Sequence, residues 1–294
     1  MFLNKDFSES IYFVKNYVEL AVSPLQRNYG EITMGRELPK PGDTYVQSFA
    51  RGLMVIQAFG PEKPQMTLAE VADATGLTRA GARRILLTLQ HLGFVASEGR
   101  FFRLTPRILD LGYAYLSTQP LWRLAMPILR DVTEKTGESC SITALDDTDI
   151  VYIVRNAAYK IMSVNLAVGS RLPAWASAMG RVLLAGLPEA EMEKVLARSD
   201  LRAHTPYTVT EYELVKAAIH QVRVDGYSLV SQELEESLQA IAVPITDRDG
   251  KVIAAINISS YPSEGSRKKF LQDYLPVLRA AAEELHHLLC VRAL

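Results

Sequence analysis

The segment 67–103, TLAEVADATGLTRAGARRILLTLQHLGFVASEGRFFR, constrains this chain most, because two helix patterns around a glycine run straight into a hairpin pattern. Thr67 accepts from the open N–H groups of a first helical turn, and Glu70 three residues on completes a capping box. Leu68, Val71 and Ala72 then recur at i, i+3 and i+4 as an inward face, and Gly76 ends the helix with its permissive backbone. Leu77 fills the angle between helices, and Thr78 caps a second one. There Ala82, Ile85, Leu86 and Leu89 form the apolar stripe, leaving Arg79, Ala80, Arg83, Arg84, Thr88 and His91 on other faces.

The small residues Ala80 and Gly81 near the start of that second helix let its first turns approach a DNA major groove closely. Gly93 closes the helix, Phe94 and Val95 open a strand, and SEGR (97–100) is the turn of a wing whose Arg100 and Arg103 are placed for phosphates. The expected module is a winged helix-turn-helix, with DNA contacts from Thr67, Thr78, Arg79, Ala80, Arg83, Arg84, Arg100 and Arg103. Charge agrees: residues 45–104 carry net +3 and the rest of the chain net −4, so positive potential concentrates where a duplex would lie.

A length of 294 residues predicts a second domain with a sizeable core. The expected division is an N-terminal extension at 1–43 with a helix over 9–20, the winged domain at 44–104, a linker helix at 105–119 and a C-terminal domain at 120–294. A first helix over 45–59, carrying Phe49, Leu53, Val55, Ile56 and Phe59, packs behind the helix pair. Thr105 and Pro106 start the linker helix, Pro120 breaks it, and 121–136 forms the next helix. Strands follow at SCSITALDD, DIVYIVRN and KIMSVNLAVGS, then helices over 176–187, 190–197 and 211–225. The strands YSLVSQEL, LQAIAVPITD and KVIAAINISS and a last helix over 266–291 complete an α/β (α+β) domain of sensor type.

Cys140 and Cys290 stand apart without metal-ligand neighbours, the N-terminus lacks a signal pattern, and no apolar run reaches membrane-spanning length. A cytoplasmic protein with free thiols, no cofactor and no membrane contact is expected.

Catalytic motifs are missing: there is no GxSxG, HExxH, P-loop or GxGxxG, and Ser170 has no nearby histidine. His286 and His287, and likewise Glu235 and Glu236, diverge by about 100° on a helix and read as surface residues. An enzyme acting on a small aromatic acid, with an appended winged head, stands as the alternative. A winged domain that pairs with protein is a third reading, which salt dependence separates from DNA binding.

Three separated segments, GLTRAGARRILLTLQHLGFV, VGSRLPAWASAMGRVLLA (168–185) and DGYSLVSQELEESLQAIAVPI (225–245), resemble the IclR family of bacterial transcriptional regulators, and the likeness runs from residue 46 to the last helix. Glu233 and the run Ala240, Ile241 and Ala242 fall where the family signature has them, whereas Val230 stands where Asp or Ser is usual. YVQSFARGLMVIQAFG, TRAGARR and RNAAYKIMSVNLAVGSRLP are similar to the branch typified by PcaR, PcaU and PobR, regulators of aromatic-acid catabolism through the β-ketoadipate pathway.

The resemblance implies a GAF-like effector-binding domain and a small carboxylate effector such as protocatechuate, 4-hydroxybenzoate or β-ketoadipate. It also implies a homodimer or dimer of dimers on an inverted-repeat operator in double-stranded DNA. Carried over by position, the pocket wall falls on Ala178, Met179, Val230, Ala240, Asn257 and Ser259, with Ser177 counted among the effector-binding residues and Trp175 placed to stack on a ring. The amides of Ala178 and Met179 at a helix start are the expected carboxylate site. Arg155 and Arg171 rank below it, because an Arg at a strand end or beside a Pro is more often an ion-pair partner.

Overall fold

The computed structural model describes residues 45–60, 62–118, 120–158 and 166–292. The expected extension at 1–43 and its helix over 9–20 lie outside them, as does the 160–165 part of the expected strand KIMSVNLAVGS. The chain divides into two compact units, Met1–Leu116 and Ser117–Leu294.

The first unit opens with α1 (Gln47–Gln57), followed by β1 (Gln65–Thr67), α2 (Leu68–Thr75), α3 (Arg79–His91), β2 (Val95–Glu98) and β3 (Phe101–Leu104). The Thr67 hydroxyl accepts from the Glu70 amide at 3.4 Å while the Glu70 carboxylate accepts from the Thr67 amide at 2.7 Å, the reciprocal box predicted at this start. Gly76, at φ 65°, ends α2, with the Leu77 amide reaching back to the Ala72 carbonyl. Gly93, at φ 83°, ends α3 in the same way, with the Phe94 amide donating to the Leu89 carbonyl. Val71, Ala72, Ala82, Leu86 and Leu89 meet Val55 and Met66 in one small core.

Two features depart from expectation here. The wing is a three-stranded sheet of order β1-β3-β2, and β1, which contributes Met66 to the core, has no counterpart in the sequence reading because three residues are too few for alternation to register. Phe49 and Leu53 do not pack behind the helix pair. Together with Val46 they form an exposed stripe on α1, Phe49 being 67% exposed, because the inward face is taken by Val55, Ile56 and the following Phe59.

A 3₁₀ turn (Pro106–Ile108), capped by Thr105, leads into α4 (Leu109–Thr118). No residue of α4 is buried: Leu109 is 71% and Tyr113 64% exposed, with Leu111 and Tyr115 beside them.

The second unit holds α5 (Pro120–Thr136), β4 (Ser139–Asp146), β5 (Asp149–Asn156), β6 (Arg171–Pro173), α6 (Ala178–Ala185), α7 (Glu189–Arg198), α8 (Tyr212–Asp225), β7 (Ser228–Ser231), β8 (Gln239–Thr246) and β9 (Val252–Ser260). It closes with α9 (Ser266–Lys269), a π turn (Phe270–Tyr274) and α10 (Leu275–Arg292). As expected, the linker helix stops before Pro120, ending at Thr118, and Pro120 stands at the first position of α5, where its missing N–H has no intrahelical partner to lose.

The six strands form one antiparallel sheet of order β6-β5-β4-β9-β8-β7. The α5 and α10 helices cover one face, around Ile142, Ile256 and Ile258; α6 covers the other, around Ile150 and Val182, and α8 packs on α6 with Ile219 in the same core. Within the described part of KIMSVNLAVGS, residues 166–170 form a turn at Val168–Gly169, and the strand is the shorter β6 that follows. His286 is also corrected: its Nδ1 lies 3.0 Å from the Thr246 carbonyl, so it is half-buried against the end of β8 while His287 is exposed.

Candidate functional site

In the first unit, one face of α3 carries the candidate DNA contacts. Thr78 caps the helix, its hydroxyl accepting from the Gly81 amide at 3.1 Å. The same apolar stripe that buries Ala82, Leu86 and Leu89 turns Arg79, Ala80, Arg83 and Arg84 to the outside, where all four are exposed. Leu87 shares this face at 44% exposure, a position the stripe pattern passes over, and a leucine there is suited to the methyl of a thymine. Gly99, at φ 58°, makes the two-residue turn between β2 and β3. Arg100 in that turn lies 5.2 Å from the Phe101 ring centre, and Arg103 is exposed on β3. Thr67 has a different role: its hydroxyl donates to Glu70 at 2.7 Å as part of the capping box, which also holds the Glu70 carboxyl below the usual range through the Thr67 backbone and side-chain bonds.

In the second unit a cleft enclosing about 510 Å³, open solvent at its mouth included, lies between the sheet and α6. Ser177, Ala178, Met179, Val230, Ala240, Asn257 and Ser259 all line it. Ser177 caps α6 by accepting from the Gly180 amide at 3.0 Å, and the first intrahelical bond begins at Arg181. The amides of Ala178 and Met179 therefore precede any helical acceptor.

The sheet wall is built from two registered rows. One runs Val230, Ala240, Ser259 and Ser139 across β7, β8, β9 and β4; the next runs Ala242, Asn257, Ser141 and Arg155 across β8, β9, β4 and β5. Both rows pass from apolar to polar toward β4 and β5.

Trp175 does not line the cavity. It is 1% exposed, packed in the core below, and its ring stacks on His204 at 5.9 Å between centres. Burial pushes the His204 imidazole below its ordinary range. Arg171 is likewise absent from the lining; its guanidinium bonds to Asp146 at 2.6 Å and Asp149 at 3.2 Å, the ion-pair role expected of it. Arg155 lines the cavity after all, its Nη1 donating to the Ser141 hydroxyl at 3.2 Å.

Tyr152, Glu233, Leu234 and Leu238, with Leu166, Leu172 and Ala176, complete the wall, and the sequence pattern does not single them out as site residues. Tyr152 and Arg155 share a face although three residues apart, because the register slips at Ile142/Thr143 and leaves Ile153 unpaired. Strict alternation points Tyr152 and Arg155 to opposite sides. Burial pushes the Tyr152 phenol up to about 12, so it stays a neutral donor at ordinary pH.

Glu233 is clamped by Arg181 through two bonds of 2.8 and 2.7 Å, both side chains under 10% exposed. Arg181 also donates from Nε to the Trp175 carbonyl at 2.9 Å, and the Thr208 hydroxyl donates to the Glu233 carbonyl at 2.6 Å. The pair thus ties α6 to the β7–β8 segment that supplies Leu234 and Leu238.

A winged head with an exposed arginine-bearing helix, joined in one chain to a sheet domain with a mostly apolar cavity, defines a two-domain transcriptional regulator. The IclR helix-turn-helix domain matches residues 48–99 and the bacterial transcriptional regulator IclR C-terminal domain residues 113–287, and the chain belongs to the IclR family. It is 43% identical over 244 residues to the Pca regulon regulatory protein of Pseudomonas putida, covering 83% of this chain and 84% of that one. A solved structure from Rhodococcus sp. RHA1 shares 46% identity over 83% of this chain and 98% of that one, with a TM-score of 0.75. An IclR homologue from Microbacterium hydrocarbonoxydans, solved in complex with 4-hydroxybenzoate, aligns at 25% identity over 84% of this chain and all of that one, with a TM-score of 0.71. The chain is a DNA-binding transcriptional regulator, and the reading as an enzyme on a small aromatic acid falls with that family membership.

Proposed function

We propose that this regulator controls aromatic-acid catabolism genes and senses a small aromatic or dicarboxylic acid in the cavity beneath α6. The observation that carries the reading is the placement of the Ala178 and Met179 amides, at a helix start, on the wall of a mostly apolar cavity whose sheet side ends in Asn257, Ser259 and Arg155. The regulatory role of the Pseudomonas relative and the ligand of the Microbacterium homologue support the same class of effector. A carboxylate on the α6 amides, with Ser177, Ala178 and Met179 around it, leaves the carbon frame against Val230 and Ala240.

On DNA, Arg79, Ala80, Arg83 and Arg84 enter the major groove of one half-site, Thr78 sits at the groove edge, and Arg100 and Arg103 hold phosphates. Two copies read an inverted repeat as a homodimer or dimer of dimers in the cytoplasm. Their contact runs along the exposed stripes of α1 and α4, since a second copy gives Phe49, Leu109 and Tyr113 the burial that their own unit withholds. The domain bounds of this reading are 44–104 for the winged domain, 105–119 for the linker that contains α4, and 120–294 for the effector domain. The effector acts by favouring one arrangement of the paired heads, which requires different affinities for the two arrangements.

The test pairs the full chain with DNA selected from a random pool. Protocatechuate, 4-hydroxybenzoate and β-ketoadipate are then titrated for a rise in melting temperature and a change in DNA affinity. An acid that does both supports the reading; thermal stabilisation without any change in DNA affinity removes the regulatory coupling, and no effect of any acid removes the effector class. In the same assay Arg83→Ala is expected to lose about 10- to 100-fold in affinity and relax one position of the site, corresponding to ~1–3 kcal/mol. Arg100→Ala is expected to weaken all sequences alike and lower the salt slope by about 1. Unchanged sequence preference in Arg83→Ala sinks the assignment of α3 as reader.

A further inference from the structure

We propose that Leu87 reads the 5-methyl group of one thymine in each half-site, which makes it a determinant of DNA sequence that works without charge or hydrogen bond. The assignment presupposes α3 as the groove helix and adds an apolar contact to the residues already placed there.

Helix geometry puts Leu87 near the centre line of the reading face. At about 100° per residue, Arg83, Leu87, Ala80 and Arg84 lie about 40°, 80°, 100° and 140° round from Arg79. Leu89, Ala82 and Leu86, the buried residues of the helix, lie about 280° to 340° round, so Leu87 points at least about 100° away from the core. Leu92, also exposed, stands about 220° round at the end of the helix and is not part of this face. Leu87 follows Arg83 by one turn, about 6 Å, so the base pair it meets lies within about two steps of the one that Arg83 meets.

Chemistry decides what a leucine at that place takes. Phosphates and polar base edges offer it nothing to bond, and covering a base nitrogen, carbonyl or amine with it strips water from that group without replacing the hydrogen bond. The thymine methyl is the apolar group that the major groove displays. Selection therefore acts both ways: T·A is favoured by contact, and the other pairs are disfavoured by lost hydration. Single exposed leucines are common on protein surfaces, but this one stands among Arg79, Ala80, Arg83 and Arg84, all exposed on one face of the helix. Ala80 shares the direction and ends at its β-carbon, whereas Leu87 carries its methyl groups two bonds further out. Arginines suit guanine, and the helix has no acidic side chain for the cytosine amine, so Leu87 extends the face to a second kind of base.

The test uses the full chain and the DNA site it selects from a random pool. Each thymine of one half-site is replaced in turn by deoxyuridine, which removes the methyl and leaves the pairing and hydrogen-bonding edges unchanged, and affinity is read by fluorescence anisotropy. The wild type is expected to lose about fourfold at one thymine, the worth of one buried methyl, and Leu87→Ala to bind the thymine and deoxyuridine forms of that site within about 1.5-fold of each other. Leu87→Gln, which keeps a good helix former but ends in a polar group, is expected to lose the difference as well and provides the readout should Leu87→Ala not fold. A penalty that survives in both variants overturns the proposal, as does a site in which no thymine responds. Either result beside an Arg83→Ala variant of relaxed specificity leaves α3 as the reader and rejects only the role of Leu87. With sequence preference unchanged in Arg83→Ala too, both fall.

Discussion

Gly180→Ala is expected to abolish effector binding and to cost about 3 kcal/mol of folding stability, the upper end of what overpacking costs. A β-carbon at this position lands inside contact distance of the Ala174 carbonyl oxygen, α-carbon and carbonyl carbon, all backbone atoms of a fully buried residue. No rotamer relieves the clash. The Ala174 backbone is itself fixed, its amide donating to the Thr148 carbonyl at 2.9 Å and its carbonyl accepting from Ser177. The first turn of α6 must therefore lift away, taking the Ala178 and Met179 amides with it. Urea melts and effector titration of the same variant check both halves. An unchanged melt with intact affinity shows that the turn can shift without consequence and removes the close approach as a determinant of the site.

Breaking the Arg181–Glu233 clamp is the second large effect. Glu233→Ala leaves a guanidinium buried without its carboxylate, and the expected loss is about 3–5 kcal/mol. Replacing both partners, as Arg181→Met with Glu233→Leu, removes the unpaired charge and is expected to recover most of that stability. It is not expected to recover effector affinity, because the bonds from Thr205 and Thr208 to the Gln232 and Glu233 carbonyls remain but the tie from α6 to the wall that carries Leu234 and Leu238 is gone. Thermal melts of the single and double variants, set beside their acid affinities, separate the two roles. A double variant that regains both shows the pair to be scaffold only.

The winged head was legible because its signals are local. Caps at Thr67 and Thr78, glycines at 76 and 93 and a stripe with helical period each lie within one turn of the residue they act on, and the formed bonds follow that local chemistry. The cavity was legible in part, through family resemblance at Ala178, Met179, Val230, Ala240, Asn257 and Ser259, and no composition or period would have gathered residues from four elements. Tyr152 escaped because one unpaired residue, Ile153, shifts the alternation of β5. Trp175 was misplaced because an aromatic near a pocket motif reads as a stacking platform, whereas here the residue fills a core position with His204 as its neighbour. Phe49 and Leu53 were misread because an apolar helix face does not reveal whether its partner lies in the same copy of the chain.

The alternation along β9 has a consequence for how such proteins diverge. Ile256 and Ile258 face the α5 and α10 side, while Asn257 and Ser259 face the cavity. Under the proposed effector site, ligand preference and scaffold integrity are thus written on alternate letters at 256–259. On that reading, substitutions at 257 and 259 retune what is sensed while leaving the Ile256 and Ile258 packing on the other face in place, so descendants of one ancestral sequence can acquire new chemical tastes by short mutational paths.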